Sequence, residues 1–191
     1  RAREAYVRAV EERVDCARIQ ERAFKVVFDY AYGAASLIMP GILGKFGCEV
    51  ISLNAYTDEK RLITSRPGRE EVLKRLGEVV VSFNADIGLL FDNGAERLAL
   101  VTETGEVLSG SDLLVTMVGL VARVSGGSGT IAVPLNQPHV IEDIAARAGL
   151  DVVRTRLDRS SIMAASREPG VIFAGSGDGG CIFPEFMPVY D

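Results

Sequence analysis

A short acidic loop carries the side chains of this sequence that are best suited to chemistry. Asp92, Glu96 and Arg97 lie between two apolar runs, residues 89–91 and 98–101, and both runs have the pattern of strands. Two carboxylates at a strand end offer oxygen ligands to a cation, or they are solvated residues of a turn. Arg97 is either a structural ion-pair partner for these carboxylates or a phosphate binder. The spacing leaves these alternatives open.

A second candidate segment is rich in glycine and covers residues 175–180. Its glycines allow the backbone to approach a ligand closely, and the side chains of Ser176 and Asp178 can donate to and accept from hydroxyl groups. The same composition is typical of a tight turn between two strands. The segment therefore predicts a sugar-binding turn or a plain connection.

Three other features predict no chemistry. His139, the only histidine, follows Pro138 at an expected helix start, where a capping or surface role is favoured. The Gly/Ser run at residues 125–129 follows a helix and precedes a strand, the reverse of a phosphate loop. The three cysteines are far apart in sequence and are expected to be small buried residues rather than zinc ligands or disulfides: Cys16, Cys48 and Cys181.

Alternating apolar runs and amphipathic segments predict the elements that hold these loops. Other strands are expected at residues 25–29, 48–53, 107–108, 130–135, 151–155 and 171–174. Helices are expected at residues 3–22, 36–46, 70–83, 113–124, 139–148 and 160–166. This alternation is typical of largely parallel sheets, and a change of unit near Val107 predicts two consecutive α/β domains.

The composition excludes several classes of protein. The chain has 191 residues, 48% of them hydrophobic and 25% charged, which is ordinary for a globular protein. A net charge of −5 without dense Lys/Arg clusters predicts no nucleic-acid partner. Neither a signal peptide nor an apolar run of about 20 residues is present, which predicts a cytoplasmic protein without a membrane partner. A first residue other than Met indicates a piece of a longer polypeptide.

Five landmarks in order along the chain resemble the phosphohexomutases, the phosphoglucomutase and phosphomannomutase family. They are residues 26–34, 84–92, 108–114, 152–155 and 175–186. The resemblance covers nearly the whole chain. It implies an α/β fold of two consecutive mixed, mostly parallel α/β/α domains of the phosphohexomutase type. Residues 1–107 then correspond to the family's second domain and residues 108–191 to its third.

The resemblance implies a weak magnesium site. The family loop reads Asp-Gly-Asp-x-Asp-Arg, and its three carboxylates hold the ion that serves a phosphoserine. Asp92, Gly94 and Glu96 occupy these positions here. Asp92 and Glu96 are therefore the metal ligands that the resemblance implies. Because Gly94 offers no side chain, magnesium is expected to bind weakly or not at all.

The resemblance also implies a set of substrate-binding residues and no catalytic residue. Residues 156–159 stand where the family has a Gly-His pair, and Ser176 and Asp178 stand where its sugar-recognition segment has Glu and Ser. The carboxylate that receives sugar hydroxyls is thus displaced by two positions. The implied substrate-binding residues are Ser176, Asp178, Arg159 and Arg97.

The family has four domains, and the resemblance covers only the second and third. The phosphoserine and the clamp for the substrate phosphate belong to the other two, and phosphoryl transfer depends almost entirely on such positioning. The resemblance implies a catalytically silent module that binds a hexose phosphate or sugar nucleotide. Its partners are other domains of the same polypeptide, such as a mannose-1-phosphate guanylyltransferase-type nucleotidyltransferase. Two alternatives stay open: a central fragment of an active intramolecular phosphotransferase, and a structural or oligomerisation module.

Overall fold

The computed structural model describes residues 2–63 and 65–190 and divides into two compact units, residues 1–108 and residues 109–191. Each unit contains one mixed sheet that is covered by helices on both faces. The predicted α/β fold class with mixed, mostly parallel sheets is confirmed, with four of the seven strand pairings among the described residues parallel.

The first unit contains a five-stranded sheet in the order β2-β1-β3-β4-β5. Its helices are α1 (Ala2–Glu11), α2 (Cys16–Arg22), α3 (Met39–Lys45) and α4 (Arg66–Ser82), with a 3-10 helix at Ala34–Leu37. Its strands are β1 (Lys25–Asp29), β2 (Glu49–Leu53), β3 (Ile87–Phe91), β4 (Leu98–Thr102) and β5 (Val107–Leu108). β1 pairs in parallel with β2 and β3, whereas β4 is antiparallel to β3 and β5.

The middle of strand β1, residues 26–28, is apolar because the strand lies inside the sheet and is covered on both faces. Val27 packs with Leu76 and Val80 of α4 in one cluster, whereas Phe28 packs with Leu43 of α3 in another. Burying one such side chain contributes about 1.5–3 kcal/mol to stability. Because successive side chains of β1 point to opposite faces of the sheet, α3 and α4 pack on opposite faces.

The prediction of one helix over residues 3–22 is wrong, because the chain breaks between α1 and α2. The Asp15 carboxylate accepts the backbone N–H of Arg18 at 3.0 Å and begins a separate helix. Apolar side chains from both helices, among them Val7 and Ile19, pack in one cluster. The helical spacing of apolar residues therefore continues across the break and conceals it.

The second unit contains a four-stranded sheet in the order β7-β6-β8-β9. Its helices are α5 (Gly110–Val124), α6 (Val140–Arg147) and α7 (Arg159–Ser166). Its strands are β6 (Thr130–Pro134), β7 (Asp151–Thr155), β8 (Val171–Gly175) and β9 (Cys181–Ile182). β6 pairs in parallel with β7 and β8, and β9 is antiparallel to β8; a turn between two strands was one alternative for residues 175–180, but the bounds of β9 were not predicted.

Helices cover both faces of the second sheet as well. Val118 of α5 and Ile141 of α6 pack against Ile131 on one face, whereas Ile162 of α7 packs against Ala174 on the other. The Gly/Ser run at residues 125–129 connects α5 to β6, and three of its glycines have positive φ. A plain connection, as predicted, accounts for these glycines.

In each unit the chain reverses its direction across the sheet at the central parallel strand. From β1 the chain passes to β2 on one side, and α4 then carries it back to β3 on the other. Strands β6, β7 and β8 repeat this arrangement. In open α/β sheets ligands bind beyond the carboxyl ends of the strands at such a reversal. The acidic loop follows β3 and the glycine-rich segment follows β8, so each lies at the expected ligand position of its own unit.

The described part of the chain contains no helix that is both long and apolar enough to cross a bilayer. The three cysteines are unpaired and only partly buried, and each packs against a hydrophobic cluster, so the expectation that they are small buried residues is met in part.

Candidate functional site

The acidic loop, residues 92–97, is a turn that the Asp92 carboxylate organises. Asp92 Oδ1 accepts the backbone N–H groups of Glu96 at 2.8 Å and Arg97 at 3.2 Å, and Oδ2 lies 3.4 Å from Arg97 Nη1. The Asp92 N–H in turn donates to the Arg97 carbonyl at 2.9 Å. The structure thus contains the Asp92–Arg97 ion pair that the sequence offered as one alternative.

The same contacts limit what the acidic loop offers to magnesium. Both oxygens of Asp92 already accept hydrogen bonds from the loop, and the Glu96 side chain is exposed. Within residues 2–63 and 65–190, no three His, Cys, Asp or Glu side chains form a group that could hold a metal ion. Asp92 and Glu96 therefore offer magnesium at most two carboxylates, and Asp92 would have to give up hydrogen bonds within the loop to bind the ion.

The acidic loop packs against the turn that follows β1. The Ala34 N–H donates to the Asn93 carbonyl at 3.1 Å, and a Cβ atom at Gly33 would lie 2.8 Å from that carbonyl oxygen. Asn93 Nδ2 donates to the Ile63 carbonyl at 3.1 Å. Asn93 Oδ1 is buried without a hydrogen-bond partner among the described residues. Sequence reasoning missed Asn93, because its neighbours come from distant parts of the chain.

The glycine turn, residues 176–180, joins β8 to β9 and is held by its own polar groups. The buried Ser176 hydroxyl donates to Asp178 Oδ1, which also accepts the Gly180 N–H at 3.3 Å. The Ser176 N–H donates to the Gly180 carbonyl at 2.9 Å. The tight strand-to-strand turn is therefore present, with the Asp178 side chain exposed at its tip.

Arg159 and Tyr190 complete a cluster at the glycine turn. The Arg159 guanidinium carbon lies 4.3 Å from the centre of the Tyr190 ring. That ring covers Gly180 so closely that an added Cβ would lie 2.5 Å from Tyr190 Cε1. Burial raises the pKa of Tyr190, although the nearby Ser176 hydroxyl and Arg159 guanidinium favour the ionised phenol. Three of the four predicted substrate-binding residues thus gather around one aromatic ring.

Gln137, from the loop after β6, forms another wall of this site. An added Cβ at Gly177 would lie 2.5 Å from Gln137 Nε2. Gln137 Oε1 accepts the Ser111 hydroxyl at 2.9 Å, and Nε2 donates to Asn136 Oδ1 at 3.1 Å. The Gln137 side chain is therefore fixed between the glycine turn and the start of α5.

Arg154 of β7 fixes the loop that carries Gln137. Its guanidinium makes two hydrogen bonds to the Glu142 carboxylate, at 2.7 and 2.6 Å. It also donates to the carbonyls of Pro134 at 2.9 Å, Gln137 at 3.1 Å and Pro138 at 3.3 Å. Burial opposes ionisation of Glu142, but the bonds from Arg154 outweigh it and lower the pKa of the carboxylate. Arg154 is therefore a positioning residue.

Asp158 begins α7 at the turn after β7. It accepts the Ser160 hydroxyl at 2.6 Å and both the hydroxyl and the N–H of Ser161 at 2.8 Å. The hydrogen bond from Ser160, with those from Ser161, lowers the pKa of Asp158 to about 2.

His139 precedes α6 with its side chain 97% exposed and makes no capping hydrogen bond. Its surface position agrees with one of its two predicted roles.

Arg97 lies in the first unit, whereas Ser176, Asp178 and Arg159 lie in the second. Sequence reasoning missed Gln137, Arg154 and Tyr190. Of these three, only Arg154 could be noticed in the sequence, as a charged residue directly after two apolar residues of a strand. Its partners could not be predicted, because three of its five hydrogen bonds are to backbone carbonyls, which sequence spacing does not reveal.

Comparison with known proteins shows which family this chain belongs to. The family model for the phosphoglucomutase/phosphomannomutase alpha/beta/alpha domain II matches residues 4–105. A Thermococcus kodakarensis protein named phosphoglucomutase/phosphomannomutase is 33% identical over 182 residues, which are 95% of this chain and 40% of that protein. A Methanopyrus kandleri protein named as a probable phosphoglucosamine mutase is 34% identical over 181 residues, covering 92% of this chain and 39% of that protein.

A solved structure shares the fold. The phosphoglucomutase/phosphomannomutase family protein from Burkholderia thailandensis aligns with a TM-score of 0.81 at 21% identity, over 99% of this chain and 40% of that chain. The present chain thus spans about two fifths of the length of these proteins. With a family model matched over more than half of its residues, the chain belongs to the phosphoglucomutase/phosphomannomutase family.

Proposed function

We propose that this chain is a sugar-phosphate-binding module of a phosphohexomutase-like protein in carbohydrate or sugar-nucleotide metabolism. Residues 1–107 correspond to the family's second domain and residues 108–191 to its third. The grouping of Ser176, Asp178 and Arg159 around the glycine turn carries the proposal. A hydroxyl, a carboxylate and a guanidinium at one turn suit a ligand that combines hydroxyl groups with a phosphate.

We further propose that the module does not isomerise its ligand by itself. The acidic loop gathers no third metal ligand among the described residues, and the phosphoserine that the resemblance implies belongs to another domain. Arg97 is the fourth proposed ligand-binding residue, and its ion pair with Asp92 has to open for that role. The rival reading, a central part of an active mutase, is favoured by the names of the two relatives at 33% and 34% identity.

Ligand titration tests the proposal. Amide NMR spectra are expected to show perturbation of Gly177, Gly179 and Gly180 by glucose 1-phosphate, mannose 1-phosphate, glucosamine 6-phosphate or GDP-mannose. Removing the Asp178 carboxylate in Asp178→Ala is expected to weaken binding about tenfold, because a charged hydrogen-bond partner is lost. Asp143→Ala, which removes an exposed carboxylate of the same unit, is the matched control.

Two outcomes contradict the proposal. If none of the four compounds perturbs the glycine turn at millimolar concentration, sugar recognition is wrong and a structural module is favoured. If phosphorus NMR detects conversion between 1- and 6-phosphates, the claim of absent catalysis is wrong.

Magnesium is expected to bind no more tightly than the millimolar range, which corresponds to about 4 kcal/mol of binding free energy. The variant Gly94→Asp with Glu96→Asp is expected to bind more tightly, because it restores the family's three carboxylates. Space is available, since a Cβ at Gly94 would lie 3.7 Å from its nearest neighbour, Glu96 Cγ. Calorimetric titration measures both affinities, and micromolar binding to the unmodified chain would contradict the expectation.

Attachment to a nucleotidyltransferase, a cytoplasmic location and the lack of nucleic-acid or membrane partners remain predictions. The polypeptide on either side of this chain decides the first of them.

A further inference from the structure

A cluster of two tyrosines and one arginine follows the parallel strands β1 and β2 of the first unit. The rings of Tyr32 and Tyr56 meet edge to face, with their centres 5.2 Å apart. The Arg61 guanidinium carbon lies 5.6 Å from the centre of the Tyr32 ring, and its Nη1 lies 3.4 Å from the Tyr32 hydroxyl. We call these three residues the tyrosine–arginine platform. It lies at the carboxyl ends of the strands, where α/β sheets bind ligands.

The backbone under Tyr32 is strained. Ala31 and Tyr32 have φ values of 49° and 58°, in the left-handed region that bulky side chains rarely adopt. Asn or Gly would occupy this turn more easily, and such strain persists where surrounding packing imposes it, often at functional sites. Gly33 provides that packing, because it is pressed against the backbone of Asn93. The surrounding packing therefore holds the Tyr32 ring in place despite an unfavourable local backbone conformation.

Arg61 keeps donor capacity for a ligand. Its carboxylate partner in the described part of the chain, Asp58, lies 3.5 Å from Nε, longer than the usual charge-assisted hydrogen bond of about 2.7–2.9 Å. The Arg61 side chain is 60% exposed and Tyr56 is 53% exposed. The contacts with the Tyr32 ring and hydroxyl orient the guanidinium, whose planar fork matches phosphate oxygens. The exposed Tyr56 ring beside it offers an apolar face.

We propose that the tyrosine–arginine platform binds the phosphate of a sugar phosphate through Arg61, while the sugar ring packs on Tyr56. Asp58 is the internal competitor that the phosphate displaces from Arg61. The proposal concerns residues of the first unit only and does not rest on the glycine turn of the second.

NMR titration of the 191-residue chain with glucose 6-phosphate, inorganic phosphate and glucose tests the platform. Glucose 6-phosphate is expected to shift the ring signals of Tyr32 and Tyr56 and the Arg61 Nε–H signal. Inorganic phosphate is expected to shift the Arg61 signal more weakly, and glucose to shift none of them. Arg61→Gln is expected to weaken glucose 6-phosphate binding about tenfold, because its charged hydrogen bonds are lost.

Arg66→Gln, which removes an exposed arginine of the same unit paired with Glu70, is the matched control and is expected to bind like the parent. The proposal is wrong if glucose 6-phosphate leaves the platform unperturbed, or if Arg61→Gln, with the dispersed spectrum of a folded protein, binds as well as Arg66→Gln. It is also wrong if inorganic phosphate binds as tightly as glucose 6-phosphate. Asp178→Ala is expected to leave the platform signals unchanged, which separates failure here from failure of the glycine-turn proposal.

Discussion

Gly33→Ala is expected to destabilise the first unit by about 2–3 kcal/mol, because the added methyl group overlaps a neighbouring loop. Its Cβ would lie 2.8 Å from the Asn93 carbonyl oxygen and 2.9 Å from Asn93 Cα. Both are backbone atoms and cannot rotate away. The acidic loop must therefore move relative to the turn after β1. Native-state hydrogen exchange of the β1 and β3 amides measures the loss, and an unchanged exchange rate would show that the two loops are not packed together.

Gly44→Ala is the matched control for this variant. Gly44 lies in α3 of the same unit, and an added Cβ there meets no heavy atom within 4 Å. Alanine is expected to be neutral or to stabilise the helix by up to about 1 kcal/mol, since glycine has the greater conformational entropy when unfolded. The two variants make the same chemical change and differ only in the space around it.

Arg154→Ala is expected to destabilise the second unit by about 2–4 kcal/mol. The change removes five hydrogen bonds, including both to Glu142, and leaves the carbonyls of Pro134, Gln137 and Pro138 without this donor. Arg154→Lys retains the charge but not the planar fork, and it is expected to recover only part of the loss. Hydrogen exchange of the β6 and β7 amides measures the effect.

Arg75→Ala provides the comparison, because its ion pair with Glu71 is exposed on helix α4. Such pairs contribute about 0.5 kcal/mol or less. If Arg154→Ala costs no more than Arg75→Ala, Arg154 does not fix the loop after β6. A shift of the Gln137 side-chain amide signals in Arg154→Ala alone would support its positioning role.

Strands could be predicted because their cause is local. The apolar residues of β1 and β6 are consecutive in sequence, and burial on both faces of a sheet requires such runs. The acidic loop and the glycine turn could be located for the same reason, since each directly follows an apolar strand. What these loops contact could not be predicted. Their partners, Gly33 for the acidic loop and Tyr190 for the glycine turn, become neighbours only after the sheet forms.

The break between α1 and α2 illustrates a different limit. Hydrophobic spacing reports which side chains reach the core, and residues on both sides of the break reach the same cluster. The capping residue Asp15 was visible in the sequence, but a continuous helical pattern outweighed it. The bounds of strand β9 were not predicted, because its two residues form no apolar pattern of their own and residues 175–180 were equally compatible with a ligand-binding segment.

Gly33 of the first unit and Gly177 of the second are both tightly enclosed, but by different kinds of atoms. This difference limits which substitutions each position can accept in evolution. Gly33 meets the backbone of Asn93, which every amino acid shares, so no change at position 93 can make room for a side chain at position 33. Gly177 meets the side chain of Gln137, which a shorter residue would withdraw. A pair of substitutions at positions 137 and 177 is therefore an open mutational route in the second unit. Homologous sequences are therefore expected to vary at positions 137 and 177, while the corresponding turn of the first unit keeps its glycine.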